Sequence, residues 1–267
     1  MAQDRRTAET GQVQSLVRAL GALEELAHHP EGMTMTSLAK AIGLPRSTTH
    51  RLLTTMHSLQ FVIFNDINSH WLVGPQAFTV GSAFGGVRDL ARLGKPYLRA
   101  ISMTTSELVS VSIPSSGSQL YVGQSDSKTP LPATYRPGAR LPLHYGAAGK
   151  AMLAFWSENR LGDYISSIDF SKRTDKSTTD TSKLWEKIKR TRDRGYAFDC
   201  EECAKDLRCV GAPVFDEDGI PVAALSISAP LSRMNKDRMH SLGRELRATA
   251  LKMTNGLGGR MPQALIG

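Results

Sequence analysis

The sequence predicts an α+β chain in two parts, a short helical module closed by a β-hairpin and a larger mixed domain around an antiparallel sheet. Three observations carry this. Apolar residues recur at helical spacing from Val13 to Leu59. Turn-rich segments between strand-like runs appear from residue 61 onward. Beyond residue 107, hairpin signals alternate with helical stretches. The 267 residues, 40% of them hydrophobic, suffice for about two domains with real cores.

In the first part, Val13, Leu16, Val17, Leu20, Leu23 and Leu26 stand three and four residues apart and predict an amphipathic helix ending near His28-His29-Pro30. Thr34 or Thr36 caps a second helix over Ser37 to Ile42, and Gly43 stops it. Leu44-Pro45 reopens a helix, because proline fits a first turn where its missing N–H is not needed. Leu52, Leu53, Met56 and Leu59 supply the buried stripe of this third helix. Its other face carries Arg46, Ser47, Thr48, His50, Arg51, Thr54 and Thr55, cations and short hydroxyls able to reach phosphate oxygens and base edges. Two short helices joined at a glycine, the second basic outside, form a helix-turn-helix. Phe61 to Phe64 and His70 to Val73 flank the turn Asn65 to Ser69 and add a hairpin wing. The plainer reading is a three-helix module used only for packing or dimerisation.

Charge needs locating before it supports either reading. The chain is +8 overall, with 33 Lys+Arg against 25 Asp+Glu. Residues 1–75 hold six bases and six acids, so the surplus lies beyond them. Within that neutral segment, however, Gly32 to Asn65 has no acid at all and carries Lys40, Arg46, Arg51, His50 and His57. An acid-free basic island fits nucleic acid; a solvated face is the bland alternative.

From Pro75 to Arg99 the apolar positions Phe78, Val80, Phe84, Val87, Leu90 and Leu93 are helically spaced but interrupted by Gly81, Gly85, Gly86 and Gly94. Each interior glycine costs about 0.5–1 kcal/mol, so this linker helix needs outside support, which a second copy of the chain supplies. Strands follow over Leu108 to Ile113, Gln119 to Gly123, Val210 to Phe215 and Ile220 to Ile227, with helices near 147–157, 182–194 and 235–256. Ser171 to Ser182 is expected to be an exposed loop, and Gly256 to Gly267 a loose tail. There is no internal repeat.

Three segments of the second part assemble pocket chemistry. Leu141 to Lys150 opens a helix with small residues, leaving N–H groups uncovered for an anion. Asp199-Cys200-Glu201-Glu202-Cys203 leads to Leu207-Arg208-Cys209. Ser226 and Ser228, two apart on a strand, point their hydroxyls to one sheet face. Together they suit a small polar organic acid or keto compound. Taken singly, each has a plainer account: surface serines, a small buried thiol, solvated acids.

Other chemistries fare worse. Cys200, Cys203, Cys209 and His144 offer one C-x2-C spacing but no second paired motif, so no metal is expected. Cys209, His144 and Asp199 are the residue types of a nucleophile, base and orienter without an activating motif. Gly149-Lys150-Ala151 is not a phosphate loop, and G-x-S-x-G, H-E-x-x-H and a strand-borne G-x-G-x-x-G are lacking. No enzymatic activity and no cofactor are expected. No apolar run approaches the ~18 residues of a membrane span, and MAQDRRTAETGQ is polar, so a cytoplasmic protein without membrane contact is expected. An odd count of three cysteines agrees with a reducing compartment.

The chain resembles the IclR family of bacterial transcriptional regulators. The likeness runs through Ile42 to Leu53, Leu141 to His144 with Gly149-Lys150-Ala151, Asp199 to Glu202, and Ala223 to Ser228, four blocks in the family's order spanning about residues 10–257. It implies a winged helix-turn-helix joined by a linker helix to a GAF-like effector domain, working as a homodimer or homotetramer on operators. It puts DNA contacts on Arg46, Ser47, Thr48, Thr49, His50 and Arg51, and an effector pocket on Leu141, Ala147, Ala148, Asp199, Leu207, Cys209, Ser226 and Ser228. Two departures touch the ligand: Gly146-Ala147-Ala148-Gly149-Lys150 replaces a common Ser-Gly-Ala-Gly-Lys, and Cys203 stands where members often have His.

The expected organisation is a DNA-binding domain over 1–75, a linker and dimerisation helix over 76–96, an effector domain over 97–258 and a tail over 259–267. The expected function is a ligand-responsive regulator, more a repressor than an activator, binding pseudo-palindromic double-stranded operator DNA with a small organic acid as effector. The alternatives are a cysteine-based redox or metal sensor with the same DNA end, and an enzyme using the C-terminal pocket.

Overall fold

The computed structural model describes residues 12–82, 85–125, 135–262 and 265. The chain divides into two compact units, 1–85 and 86–267.

The first unit opens with α1 (Gln14–Ala27), α2 (Met35–Ala41) and α3 (Arg46–Ser58). Thr34 caps α2, its hydroxyl accepting from the Ser37 N–H at 3.2 Å. Gly43, at φ +65°, makes the turn into α3, and Pro45 is the N-cap of that helix. The strands β1 (Val62–Asn65) and β2 (His70–Val73) pair antiparallel as the wing. The unit closes on Ala22, Leu26, Leu38, Leu53, Met56 and Val62.

Two expected stripes are corrected by this packing. On α1 only Ala22 and Leu26 are buried, whereas Val13, Leu16, Val17 and Leu20 stay exposed, because the small core of this unit covers only the C-terminal half of the helix. On α3 Leu59 is exposed and Thr49 takes the buried position, one turn before Leu53.

The linker stretch forms α4 (Pro75–Ser82) and α5 (Gly85–Thr105). The side chains of Phe84 and Val87, counted in the expected stripe, lie outside the described residues. Phe78 and Val80 are exposed.

The second unit is a six-stranded antiparallel sheet in the order β5-β4-β3-β8-β7-β6. Its strands are β3 (Leu108–Ser115), β4 (Ser118–Gln124), β5 (Arg140–Pro142), β6 (Ala197–Cys200), β7 (Leu207–Phe215) and β8 (Pro221–Pro230). Strand alternation splits the side chains cleanly between two faces. Val109, Val111, Val210, Ala212, Val214, Leu225 and Ile227 join one core with Leu98 and Ile101 of α5 and with Met239, Leu242, Leu246, Ala250 and Met253 of the last helix, α9 (Lys236–Gly256). Leu207, Cys209 and Ala224 face the other core, shared with α6 (Ala147–Leu153), α7 (Glu158–Ser166) and α8 (Thr181–Arg194).

α6 lies so close to β7 that a Cβ at Gly211 would meet the Ala147 carbonyl carbon at 2.5 Å and its oxygen at 2.6 Å, so only glycine fits there. The tail is not loose where it is described: Arg260 N–H donates to the Asp216 carbonyl at 3.0 Å, and Arg247 donates to the Leu265 carbonyl at 2.9 Å. Nor is the 171–182 loop fully exposed, since Thr178 is buried. No described helix is long and apolar enough to cross a membrane.

Candidate functional site

Residues of two kinds of chemistry are held by the two units. In the first, α3 turns Arg46, Ser47, His50 and Arg51 outward and leaves Thr48 half-buried. Thr49 does not join them. It is 0% exposed, and its hydroxyl donates to the Pro45 carbonyl at 3.1 Å, so the expectation that it contacts DNA is corrected by its place on the inner face. Thr54 and Thr55 are exposed, but their hydroxyls donate to the His50 and Arg51 carbonyls at 2.9 Å, the back-bond short hydroxyls form within helices.

In the second unit, all eight expected pocket residues are buried on the α6 side of the sheet or at its rim. Cys209 of β7 is paired in register with Asp199 of β6 and with Ser228 of β8. The Cys209 thiol and the Ser228 hydroxyl share a hydrogen bond at 3.2 Å. Ser226 pairs with Gly211, against which the start of α6 packs. Gly146, at φ +72°, precedes α6 and brings no capping side chain, so the first N–H groups of the helix go uncapped at Ala147 and Ala148.

Beside these residues sits a buried ionic cluster. Lys150 Nζ donates to Glu202 at 2.7 Å, with the two side chains 1% and 4% exposed. Glu202 also accepts from Lys187 at 2.9 Å and from the Thr178 hydroxyl at 2.8 Å, while its own N–H donates to Asp199 Oδ1 at 2.7 Å. Burial opposes ionisation of Glu202, but Lys150 and Lys187 outweigh it and hold the carboxyl at about 2. Burial likewise opposes charge on Lys150, and the Glu202 carboxylate more than reverses this. Asp199 is pushed up by burial, only partly offset by Lys150. His144 falls to about 4 through burial and the nearby Lys150; its Nδ1 bonds the Tyr164 hydroxyl at 3.0 Å. An open cleft of about 540 Å³ is lined by Lys172, Arg173, Lys176, Glu201, Cys203 and Lys205 among others. Cys203 of its lining lies beside Asp199, which puts this cleft next to the expected pocket residues.

Family models described as "IclR helix-turn-helix domain" and "Bacterial transcriptional regulator IclR C-terminal" match residues 15–65 and 85–255. The chain belongs to the IclR family. It is 38% identical over 252 residues to the transcriptional repressor IclR of Escherichia coli K12, covering 94% of this chain and 92% of that one. It is 39% identical over 252 residues to the acetate operon repressor of Salmonella typhimurium, with the same coverage. Among solved structures, a transcriptional regulator from Rhodococcus sp. RHA1 superposes with a TM-score of 0.77 at 27% identity, covering 92% of this chain and 99% of that one. The protein is therefore a transcriptional regulator with a helix-turn-helix DNA-binding domain and an effector-binding domain, and not an enzyme.

Within this IclR-family fold the cysteines have a quiet chemistry. Cys203 and Cys209 are buried, and burial, reinforced by Asp199, raises both thiols; burial also raises Cys200. Such thiols stay protonated and weakly nucleophilic. Among the described residues, no three His, Cys, Asp or Glu side chains are grouped to hold a metal ion.

Several residues near the expected pocket positions of this IclR-family chain escaped the sequence reading. Ser110 and Ser112 of β3 share the face of Ser226 and Ser228, since Ser110 pairs with Ser226 and Ser112 with Ala224. The signal was present as the alternation Val109-Ser110-Val111-Ser112. Gln119, fully buried, donates to the Tyr145 carbonyl at 3.2 Å, and Tyr121 packs edge-on against Tyr135 at 5.8 Å between centroids. Nothing in the spacing announces Tyr135.

Proposed function

We propose that this regulator is a cytoplasmic homodimer or homotetramer that represses transcription from pseudo-palindromic operator DNA and is released or retained by a small organic acid. The observation that carries the reading is α3, whose exposed face presents Arg46, Ser47, His50 and Arg51 in a stretch from Gly32 to Asn65 with no acidic residue. Arg46, Ser47, Thr48 and Arg51 contact phosphates and hold register; His50 or Arg51 reads base edges in the major groove, and the wing touches the backbone. Both relatives, the Escherichia coli and Salmonella typhimurium proteins, are repressors.

Residues 1–75 act as the DNA-binding domain, 76–96 as the linker and dimerisation segment and 97–258 as the effector domain. The exposed apolar residues Leu16, Val17 and Leu20 of α1 and Phe78 and Val80 of α4 favour a second copy as their cover. The effector binds among Leu141, Ala147, Ala148, Asp199, Leu207, Cys209, Ser226 and Ser228. An acid is favoured by the uncapped start of α6 and by a cleft whose lining carries four cations, Lys172, Arg173, Lys176 and Lys205, beside Asp175 and Glu201. Effector control requires different affinities for the two DNA-binding states, and a coupling of about 1–3 kcal/mol gives roughly 5- to 150-fold regulation.

The test selects the full-length protein against random duplex DNA. An inverted repeat should emerge, bound with an affinity that falls steeply with salt. Enrichment of no repeat, or salt-independent binding, would overturn the operator reading.

A further inference from the structure

Ser110 Oγ and Tyr135 Oη are buried, the residues 1% and 4% exposed, and neither makes a hydrogen bond among the described residues. A buried hydroxyl in that condition bears its full desolvation penalty, and native interiors rarely leave one so. Both belong to one region. Ser110 stands directly opposite Ser226 across the β3–β8 pair, on the same sheet face. Tyr135 packs edge-on against Tyr121 and shares a core with Leu141, Ala147, Ala148 and Cys209. Its hydroxyl lies beside the Cys209 thiol, which shares its hydrogen bond with Ser228.

The polar inventory of this region is lopsided. Two unpartnered hydroxyls, on Ser110 and Tyr135, and the uncapped N–H groups of α6 are available to a ligand. Ser228 and Cys209 satisfy each other. The one carboxyl, Asp199, already accepts from the Glu202 N–H. Among the described residues Lys150 is the one buried Lys or Arg, and Glu202 holds it. A ligand here meets hydroxyls and donor N–H groups and no free counter-ion.

We infer that Ser110 and Tyr135 are effector-contacting residues whose hydroxyls donate to the oxygens of a small, acceptor-rich carboxylate. The inference rests on the pocket reading given under Proposed function and adds two contacts and a selection rule to it. A carboxylate accepts from both hydroxyls and from the α6 N–H groups at once, whereas ureides and polyols bring donors of their own that those N–H groups cannot meet.

The test uses the full-length protein, with glyoxylate, pyruvate, oxaloacetate and succinate as acceptor-rich probes and allantoin and erythritol as donor-rich ones. Melting temperature and calorimetric Kd are measured for the wild type, Ser110→Ala, Tyr135→Phe and, as the pocket control, Ser226→Ala. At least one carboxylate should raise the wild-type Tm, and the donor-rich probes should not. Tyr135→Phe and Ser110→Ala should each weaken that carboxylate on the order of ten-fold or more, with a ligand-free Tm equal to or above wild type, because each removes an unpartnered polar atom. Wild-type affinity in both variants alongside weakened binding in Ser226→Ala leaves the pocket standing and overturns this inference. A lower ligand-free Tm with unchanged Kd means the hydroxyls serve the fold and overturns it as well. Unchanged affinity in all three variants puts the ligand elsewhere and overturns the pocket reading with it. Failure of every carboxylate to bind overturns the ligand class.

Discussion

Lys150 and Glu202 show how a charge comes to sit in a protein interior. Neither group would tolerate burial alone, and each is ionised because the other is 2.7 Å away, with Lys187 and Thr178 filling the remaining carboxylate sites. Lys150→Met should therefore cost about 3–5 kcal/mol by leaving Glu202 short of its buried partner, and Lys150→Met with Glu202→Leu should recover much of that, both read as urea midpoints from Trp156 and Trp185 fluorescence. The same region sets a pH profile. His144 is held neutral with its pKa lowered from 6.5 to about 4, so the unfolded chain takes up the proton first and stability falls as pH drops from about 6.5 to 4. Glu202, depressed from 4.5 to about 2, contributes stability that is complete above pH 4.5 and lost as pH falls toward 2. Two limbs should appear in the midpoint-versus-pH curve, and His144→Asn should flatten the upper one; a single limb near pH 4 in the wild type would refute the assignment.

At the scale of the element, α3 divides its residues between two tasks by helical periodicity. Thr49, Leu53 and Met56 pack inward, and Arg46, His50 and Arg51 project outward. Arg46→Ala and Arg51→Ala should each weaken operator binding and lower the slope of log affinity against log salt by roughly 0.9, the loss of one phosphate contact. Thr49→Val should leave both quantities as in the wild type and cost the fold about 1 kcal/mol at most through the lost bond to Pro45. A Thr49→Val protein that folds normally but loses operator affinity would reverse this division. The sheet makes a similar division with a period of two: Val109 and Val111 meet the α9 core, while Ser110 and Ser112 face α6.

For the whole molecule, the exposed stripe on α1 is the feature with the largest consequence. Leu16, Val17 and Leu20 lie uncovered on a helix whose other end is firmly buried. Burying a leucine is worth about 1.5–3 kcal/mol, enough that a handful of such contacts moves a dimerisation constant by orders of magnitude. Leu16→Glu with Leu20→Glu should shift the protein toward monomer in sedimentation velocity and weaken operator binding, while the Tm of the C-terminal unit stays unchanged. Self-association equal to wild type would remove α1 from the interface.

The sequence by itself determined the order and type of most elements, because caps, glycine stops and apolar periodicity are local signals: Thr34, Gly43 and Pro45 bound α2 and α3 where their chemistry requires. It also marked Ser226 and Ser228 as residues that share one sheet face, since strand alternation is likewise local, whereas the register that sets Asp199 and Cys209 beside Ser228 came from the sheet. The short strands β5 and β6 and the helix α7 were not legible, being three, four and nine residues long with little periodicity to read. Tertiary structure alone decided what depends on residues far apart in the chain: that Lys150 pairs with Glu202 rather than solvent, that Thr49 faces inward, and that the tail is pinned by Arg247 and Asp216. It alone left the buried hydroxyls of Ser110 and Tyr135 unmet among the described residues, because partnership of a buried polar atom is fixed by packing across the whole domain and leaves no trace in spacing.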